Sequence, residues 1–407
     1  MSAPPASIPE ATTKPRPELP RTVWALGWTS FFTDVSTEII YPLLPIFLTV
    51  TLGATVAFVG LIEGVAECTA SVLKVASGWW SDRVRRRKPF AVAGYALSGL
   101  TRPLLALAGT AGHVLAARFI DRVGKGIRSA PRDALLTEAV PADQRGAAFG
   151  VQRALDNAGA VLGPLIAWAL LTWVTQDFRV LFWIATVPMV AALLVLTLGA
   201  KEQAPAPPMP ASNPVAPPEP FVVQPRFKAY LALLFLFTLG NSSDAFLLLR
   251  AQSLGVSVAE IPLLWALLNL IKAVSVLPAG RLSDRIGRRP LVVGGWLVYA
   301  LVYLGFARAG AAWQVWALFA VYGLFYGLTE AAERAWVADL YPKAQRGQAY
   351  GWYHATVGLA SLPASLLMGW LWYRLGPGFA FLTGASFAGA AAVLLWLCLK
   401  PVAAPRV

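Results

Sequence analysis

Cysteine, histidine and methionine are scarce in this chain of 407 residues, which contains two, two and four of them. Cys68 and Cys398 both lie inside apolar runs, so neither a disulfide framework nor a thiolate metal site is expected. Two histidines add too few ligands for a transition-metal site. The stretch Gly124-Lys125-Gly126 lacks the Gly-Lys-Ser/Thr ending of a phosphate-binding loop. We therefore expect no metal ion and no cofactor.

Charged side chains are also few, at 14% of the chain, whereas soluble globular domains carry about 25%. Apolar residues make up 57%, which excludes a disordered or collagen-like chain and leaves too little polar surface for a water-soluble protein. Acidic residues are fewer than basic ones: the chain contains 21 Asp and Glu but 34 Lys and Arg, which gives a net charge of +13. The first twenty residues are rich in proline and show no apolar stretch typical of a cleavable signal peptide.

Long apolar runs dominate what remains, and most reach the roughly 20 residues that an α-helix needs to cross a bilayer. The first set covers about 22–50, 56–80, 89–110, 113–139, 146–172 and 178–200. The second set covers about 227–251, 258–282, 290–308, 312–339, 348–374 and 377–399. The sequence thus predicts an all-α membrane protein with 12 transmembrane helices in two halves of six.

A proline-rich tract, PAPPMPASNPVAPPEP, separates the two sets and predicts an extended linker. The expected organisation is a tail at 1–21, a six-helix bundle at 22–200, a linker at 201–226, a second six-helix bundle at 227–400 and a tail at 401–407.

Lysine and arginine are distributed unevenly between the loops of the two sides. One side collects most of them, including Arg83 and the run from Arg85 to Lys88, whereas the other holds Arg179, Arg308 and Arg374. Because loops rich in Lys and Arg remain in the cytoplasm, we expect a multi-pass protein of the cell inner membrane with the linker and both termini cytoplasmic. The positive charge then reflects topology and contact with anionic membrane lipids, and no nucleic-acid partner is expected.

The two halves repeat one another. Gly78 and Asp82 recur 202 residues later as Gly280 and Asp284. Because each half has an even number of spans, the repeat is parallel, about an axis along the membrane normal. A second group recurs at an offset of 201 residues: Pro141, Arg145 and Gly150 as Pro342, Arg346 and Gly351.

Two loops carry a family resemblance. The loop after span 8 reads GRLSDRIGRR from Gly280, and the loop after span 2 reads GWWSDRVRRR from Gly78. Both resemble motif A of the major facilitator superfamily, G-x-L-x-D-R-x-G-R-[RK], with two departures in the first loop. The resemblance implies two pseudo-symmetric six-helix bundles and a cytoplasmic gate. The gating residues it implies are Gly78, Asp82, Arg83, Gly280, Asp284 and Arg285. The alternative interpretation is that the arginines of these loops only fix the membrane topology and have no role in gating.

Span 5 contains GAVLGPLIA, which resembles the antiporter motif of the same superfamily, G-x-x-x-G-P-x-x-G-G. The matching positions are Gly159, Gly163 and Pro164, while Ala167-Trp168 replaces the final glycines. Glycines four residues apart also permit close helix packing without any role in exchange.

Charged residues inside the spans are the candidates for function, because each costs about 2.5–3.5 kcal/mol at the bilayer centre. They are expected to form a proton-coupling site or substrate cavity, with structural salt bridges as the alternative. Mid-span acids are the favoured proton carriers, namely Asp34, Glu38, Glu67 and Asp156. Trp265, Asn269 and Tyr326 lie deep enough to line the same cavity. The full candidate set is Asp34, Glu38, Glu63, Glu67, Arg122, Arg153, Asp156, Asp244, Arg250, Lys272, Glu330, Glu333 and Arg334.

One helix face concentrates these charges. Arg118, Asp121, Arg122 and Lys125 follow the spacing i, i+3, i+4, i+7 and lie on one side of a helix. Such a face must look into a polar cavity or onto partner carboxylates.

The resemblance implies a transporter rather than an enzyme. The expected function is proton-coupled transport of a small polar or charged solute by alternating access, with efflux antiport of a small organic compound favoured. Proton-symport import of an organic anion or nutrient is the first alternative, and a lipid flippase or a non-transporting membrane sensor is the second. The expected partners are the solute, protons and membrane lipids, and the chain is expected to be a monomer.

Overall fold

The computed structural model describes residues 19–84, 86–141, 144–202, 221–342 and 345–399, except for the side chains of residues 74–84 and of Asp284. No strand occurs in this described part. The first six helices are α1 (Arg21–Thr51), α2 (Val56–Val84), α3 (Lys88–Ala106), α4 (Ala111–Glu138), α5 (Arg145–Trp173) and α6 (Phe178–Gly199). The second six are α7 (Pro225–Ser253), α8 (Ile261–Ile286), α9 (Arg288–Arg308), α10 (Ala312–Leu340), α11 (Arg346–Leu375) and α12 (Pro377–Cys398).

The predicted all-α fold of two six-helix bundles is confirmed. The second bundle repeats the first, so that α9 begins 200 residues after α3. Its core is aromatic, with Trp296, Tyr299, Tyr303 and Tyr322 fully buried and the ring of Phe237 stacked on Trp296 at 4.4 Å. We call the end of the molecule at which α6 ends and α7 begins the linker side, and the other end the opposite side.

Two helices form although their composition is too polar for a membrane span. Ten helices of the described chain are apolar enough to cross a bilayer by composition alone, and α3 and α4 are not among them. In α4, Arg118, Asp121, Arg122 and Arg128 are only 4%, 6%, 5% and 8% exposed. These side chains point into the first bundle, so α4 does not present them to lipid.

Two spans expected to be continuous are interrupted within their length. Helix α1 is interrupted by a turn at Tyr41–Leu43. Pro42 within the turn and Pro45 just after it lack backbone N–H groups, which breaks the helical hydrogen-bond pattern. Helix α7 opens at Asn241–Asp244, and the Ala245 N–H donates to Ser243 Oγ where the helix resumes. Within a membrane span, unwound backbone is tolerated only where it is buried in protein or lines a cavity.

The bundles meet along α2 with α11 and along α5 with α8. A Cβ at Gly64 of α2 would lie 2.9 Å from the side chain of Leu362 in α11, so glycine permits this approach. Between α5 and α8, Asn269 donates its amide N–H to the carbonyl oxygen of Ala160 at 3.1 Å. These helices set the walls of the space between the bundles.

Candidate functional site

A cavity of about 520 Å³ lies between the two bundles. Its lining begins at the broken segments of α1 and α7 and continues along α8, α10 and α11 towards the linker side. The side chain of Arg334, near that end, is 52% exposed. The charged residues of the lining are Glu67, Lys125, Asp244, Lys272, Glu330, Glu333 and Arg334.

Contacts between the bundles close the cavity towards the opposite side. The indole N–H of Trp265 in α8 donates to Glu38 in α1 at 2.5 Å, and its ring lies 5.0 Å from that of Tyr41. Further towards the opposite side, Ala245 and Leu249 of α7 join the apolar cluster formed by the end of α1. The molecule is therefore in a state open towards the linker side.

Glu330 is the centre of a charged cluster that crosses between the bundles. Its Oε1 lies 2.5 Å from Nη2 of Arg153 in α5 and 3.3 Å from Nη2 of Arg334. Its Oε2 lies 3.4 Å from Nζ of Lys272 in α8. Three cations from three helices thus surround one carboxylate, which leaves the cluster with an excess of positive charge.

Two acids from neighbouring helices meet beside this cluster. Asp34 of α1 faces α5, where a Cβ at Gly159 would lie 3.2 Å from that of Asp34, and Asp156 stands one turn before Gly159 in the same helix. Asp156 lies 3.5 Å from Nη1 of Arg153. Acidic side chains of α1 and α5 therefore lie close to the Glu330 cluster.

Asp244 and Glu333 accept hydrogen bonds from aromatic side chains. Asp244, at the break in α7, accepts from the hydroxyls of Tyr322 at 2.6 Å and Tyr326 at 2.8 Å. The ring of Tyr326 also lies 4.6 Å below Nζ of Lys272. Asp244 and Tyr326 both line the cavity. The second acid, Glu333, accepts from Trp296 at 2.8 Å and from Tyr353 at 2.7 Å.

The charged face of α4 pairs inside the first bundle. Arg118 donates through Nη2 to both carboxylate oxygens of Glu63, at 2.8 and 2.9 Å. Nη1 of Arg122 lies 3.3 Å from Glu67, whose side chain is 48% exposed and reaches the cavity. Asp121 pairs with Arg102 at 3.0 Å. Two of the four residues on this face, Arg118 and Arg122, thus have partner carboxylates, and Lys125 lines the cavity.

Arg250 was expected in the cavity, but the structure places it elsewhere. It donates to the carbonyl oxygens of Phe306 at 3.2 Å and Ala309 at 2.8 Å, at the end of α9. These carbonyls have no partner within their own helix, so Arg250 acts there as a helix cap.

The antiporter-like glycines lie where α5 crosses α1. A Cβ at Gly163 would lie 2.8 Å from that of Glu38, and one at Gly159 would lie 3.2 Å from that of Asp34. The motif, with Pro164 inside the helix, therefore brings the two acids of α1 against α5. Close packing is its direct structural role.

The gating residues are described only in part. The structure does not describe the surroundings of Gly78 or the side chains of Asp82, Arg83 and Asp284. Arg85 lies outside the described residues altogether. In the second motif, Arg285 is exposed and a Cβ at Gly280 would meet no atom within 4 Å. The following Gly287 has a φ of +92°, which favours glycine and separates α8 from α9.

Sequence reasoning did not single out Arg102 or Tyr322. Arg102 is 3% exposed and donates to Ser36, Thr37 and Asp121 at 3.1, 2.8 and 3.0 Å. The signal for it was present, because an arginine in the middle of the run at 89–110 demands a polar partner. Tyr322 resembled an ordinary core aromatic residue, and only the fold places it next to Asp244.

The fold and the motifs together define a family. A family model described as Major Facilitator Superfamily matches residues 26–250 and again residues 229–407. The chain belongs to this superfamily, as the two loop motifs predicted. It is a multi-pass membrane protein, and secondary transport is its class of function.

Similar proteins include an uncharacterised transporter of the same superfamily from Methanocaldococcus jannaschii. It is 37% identical over 385 residues, which cover 93% of this chain and 95% of that one. The multidrug resistance protein MdtH of Photorhabdus laumondii is 30% identical over 146 residues, 36% of this chain and 35% of its own. A solved POT family transporter in complex with 5-aminolevulinic acid has a TM-score of 0.77 at 14% identity, covering 93% of this chain and 96% of that chain. The solved structure shares the fold.

Proposed function

We propose that the protein moves a small organic anion across the inner membrane by alternating access, in exchange for protons and without ATP. The observation that carries the substrate class is the cluster around Glu330. Its carboxylate fills a position surrounded by Arg153, Lys272 and Arg334 at 2.5 to 3.4 Å. A carboxylate or similar group on the solute would find the same three cations by competing with Glu330.

The remaining lining favours a polar solute over a lipophilic one. The broken segment of α7 contributes Asn241, Ser242 and Ser243, and α11 contributes Ser361 and Ser365. These hydroxyl and amide groups supply donors and acceptors that fix the orientation of a bound molecule.

The proton pathway we propose runs through Asp34 and Asp156. Two carboxylates close together repel one another strongly in a medium of low dielectric constant, so a proton shared between Asp34 and Asp156 would relieve that repulsion while Arg153 contacts Glu330. When the bundles rock and Arg153 separates from Glu330, Arg153 pairs with Asp156 alone, and the proton leaves. Glu38 and Glu67 remain secondary candidates.

The direction we propose is export. The partial antiporter motif and the likeness of 146 residues of the chain to a multidrug resistance protein support it. In this scheme the linker side is cytoplasmic, the chain acts as a monomer of two bundles at 22–200 and 227–400, and motif A gates the cytoplasmic side. Uptake of an organic anion together with protons is the second candidate, supported by the basic residues of the cavity.

Reconstitution in proteoliposomes tests the proposal. Purified protein is given an imposed pH gradient, and flux of small mono- and dicarboxylates is compared with that of neutral and cationic analogues. Carboxylate flux opposite in direction to proton movement supports proton exchange, whereas carboxylate flux in the same direction as proton movement supports symport. Flux restricted to neutral or cationic solutes contradicts the substrate class. Gradient-independent lipid movement without solute flux identifies a flippase.

Two variants locate the anion site. Lys272→Met removes one cation from the cluster and is expected to weaken carboxylate binding about tenfold, because a hydrogen bond to a charged group contributes about 1.5–3 kcal/mol. Glu330→Gln removes the internal competitor and is expected to tighten binding. Arg374→Gln, which removes an exposed arginine beside Tyr373, is the matched control. Unchanged carboxylate affinity in both cluster variants would place the anion site elsewhere.

A further inference from the structure

A second cavity, of about 420 Å³, lies between α9 and α12, separate from the space between the bundles. It forms a groove that runs from the linker side into the membrane, and the seven-residue step from Pro290 to Leu297 corresponds to a depth of about 10 Å. Its walls are formed by Pro290, Val293, Gly294 and Leu297 of α9 and by Ala392, Val393, Trp396 and Leu397 of α12.

The groove lies on the linker side of the aromatic contact between α9 and α12. Near the opposite side, α9 and α12 are in direct contact, with the rings of Phe306 and Phe381 5.5 Å apart. Towards the linker side, Gly294 carries no side chain, and a Cβ there would meet no atom within 4 Å. The corresponding residue of the first bundle, 201 residues earlier, is the exposed Ala93. Ala93 therefore provides a matched position for a larger side chain in the first bundle.

A cation stands at the linker-side mouth of this apolar groove. The guanidinium of Arg289, at the start of α9, lies 4.4 Å from the ring centre of Trp396 and donates Nη2 to the Trp396 carbonyl oxygen. The stacking holds the group in place at the level where a membrane span ends. Because a guanidinium has five N–H donors, most of them remain for a further acceptor.

We propose that this groove binds one anionic phospholipid, with an acyl chain between α9 and α12 and the headgroup phosphate at Arg289. The membrane supplies the ligand, the groove matches an acyl chain in polarity and direction, and the arginine matches a phosphate in charge and in hydrogen-bonding geometry. A zwitterionic lipid fits the apolar walls equally well but brings no net charge to Arg289. The site is independent of the solute and of the proton pathway.

Native mass spectrometry of the full-length protein in detergent tests the site, with phosphatidylglycerol and phosphatidylcholine of identical acyl chains as probes. The wild-type protein is expected to retain one phosphatidylglycerol in preference to phosphatidylcholine. Arg289→Gln should weaken phosphatidylglycerol binding about fivefold, the effect of one basic residue at an anionic lipid surface. Arg289→Lys, which keeps the charge, should retain most of the affinity.

Gly294→Leu tests the groove itself, because its side chain would fill the space that the acyl chain needs. It should abolish the retained lipid, whereas Ala93→Leu in the first bundle is the matched control and should not. Equal retention of both lipids by the wild-type protein, or unchanged phosphatidylglycerol binding in Gly294→Leu, overturns the proposal. If Gly294→Leu does not fold, the comparison of Arg289→Gln with Arg289→Lys decides, and equal binding by those two variants overturns it.

Discussion

Substituting methionine for Arg118 removes the cation that holds Glu63 inside the first bundle. The two side chains are 5% and 4% exposed, and Nη2 of the arginine contacts both carboxylate oxygens at 2.8 and 2.9 Å. In the variant, the described contact that remains to the carboxylate is the hydroxyl of Ser243 at 3.4 Å. A buried ion left without its partner destabilises by about 3–5 kcal/mol. We predict a loss of that size in the free energy of unfolding.

The neighbouring Arg102 provides a comparison within the same bundle. Its partner Asp121 would keep Arg122 at 3.8 Å and Arg118 at 4.0 Å after Arg102→Met. The carboxylate therefore stays close to two cations, and the variant loses hydrogen bonds rather than all charge compensation. We expect a loss of about 1–3 kcal/mol, clearly smaller than that of Arg118→Met.

Equilibrium unfolding in mixed detergent micelles with increasing dodecyl sulfate, followed by circular dichroism, measures both effects. The double variant Glu63→Met with Arg118→Met should recover most of the stability lost in Arg118→Met, because apolar side chains can replace a buried ion pair at little cost. The exposed Arg374→Gln should change stability by less than about 0.5 kcal/mol. The reasoning is refuted if Arg118→Met unfolds like the wild type, or if the double variant is no more stable than Arg118→Met.

Three further predictions concern glycines and the contact that closes the opposite side. Gly163→Leu should lower the free energy of unfolding by about 1–3 kcal/mol and reduce the yield of monodisperse protein, because a Cβ alone already approaches that of Glu38 to 2.8 Å. Gly280→Ala is the control and should leave the yield unchanged, and equal yields of the two variants would contradict the packing role of the motif. Gly287→Ala should lower the free energy of unfolding by about 1–3 kcal/mol, because the φ of +92° and ψ of 160° at Gly287 suit glycine alone. An unchanged unfolding curve in dodecyl sulfate would show that the turn relaxes to accept alanine. Trp265→Phe keeps an aromatic ring but removes the indole N–H that donates to Glu38, so the opposite side should open more often. Unchanged spin-label distances between the ends of α1 and α7 would argue that this contact does not close the opposite side.

The helices themselves were predictable from the sequence because long apolar runs leave few alternatives in a membrane. The first run, expected at 22–50, is the helix Arg21–Thr51, and the last, expected at 377–399, is Pro377–Cys398. The interruption of α7 was harder to predict, because Asn241–Asp244 contains no proline. Its unwound backbone is stabilised by neighbours far away in the chain, such as the tyrosine hydroxyls that Asp244 engages.

The partners of the charged residues were beyond sequence reasoning for a different reason. A charge inside a span must be compensated, but which group compensates it depends on how each helix is rotated and which helix faces it. Asp244 and Arg250 lie one to two turns apart in α7, yet one faces the cavity and the other caps α9. The spacing on α4 did identify a charged face. It did not reveal that Arg102 of α3 completes the compensation of Asp121.

Alternating access divides the observed contacts into two kinds, those that move with one bundle and those that cross between bundles. The pair of Glu63 with Arg118 lies within the first bundle, so it is carried along unbroken when the bundles rock. Separating that pair would strand a buried charge at a cost that no modest driving force supplies. Pairs of this kind give the bundle its rigidity and are unsuited to switching.

The contact of Arg153 with Glu330 crosses between the bundles, and its surroundings differ in the way that switching requires. When it separates, Glu330 retains Lys272 and Arg334 of its own bundle at 3.4 and 3.3 Å, and Arg153 retains Asp156 at 3.5 Å. Neither group is left without a partner of opposite charge, so the two arrangements differ by one exchange among ion pairs. Two conformations are both populated only if their free energies lie within a few kcal/mol. An exchange that keeps every charge compensated meets that condition, and it would also give the solute anion proposed above the differential contact through which it can shift the balance.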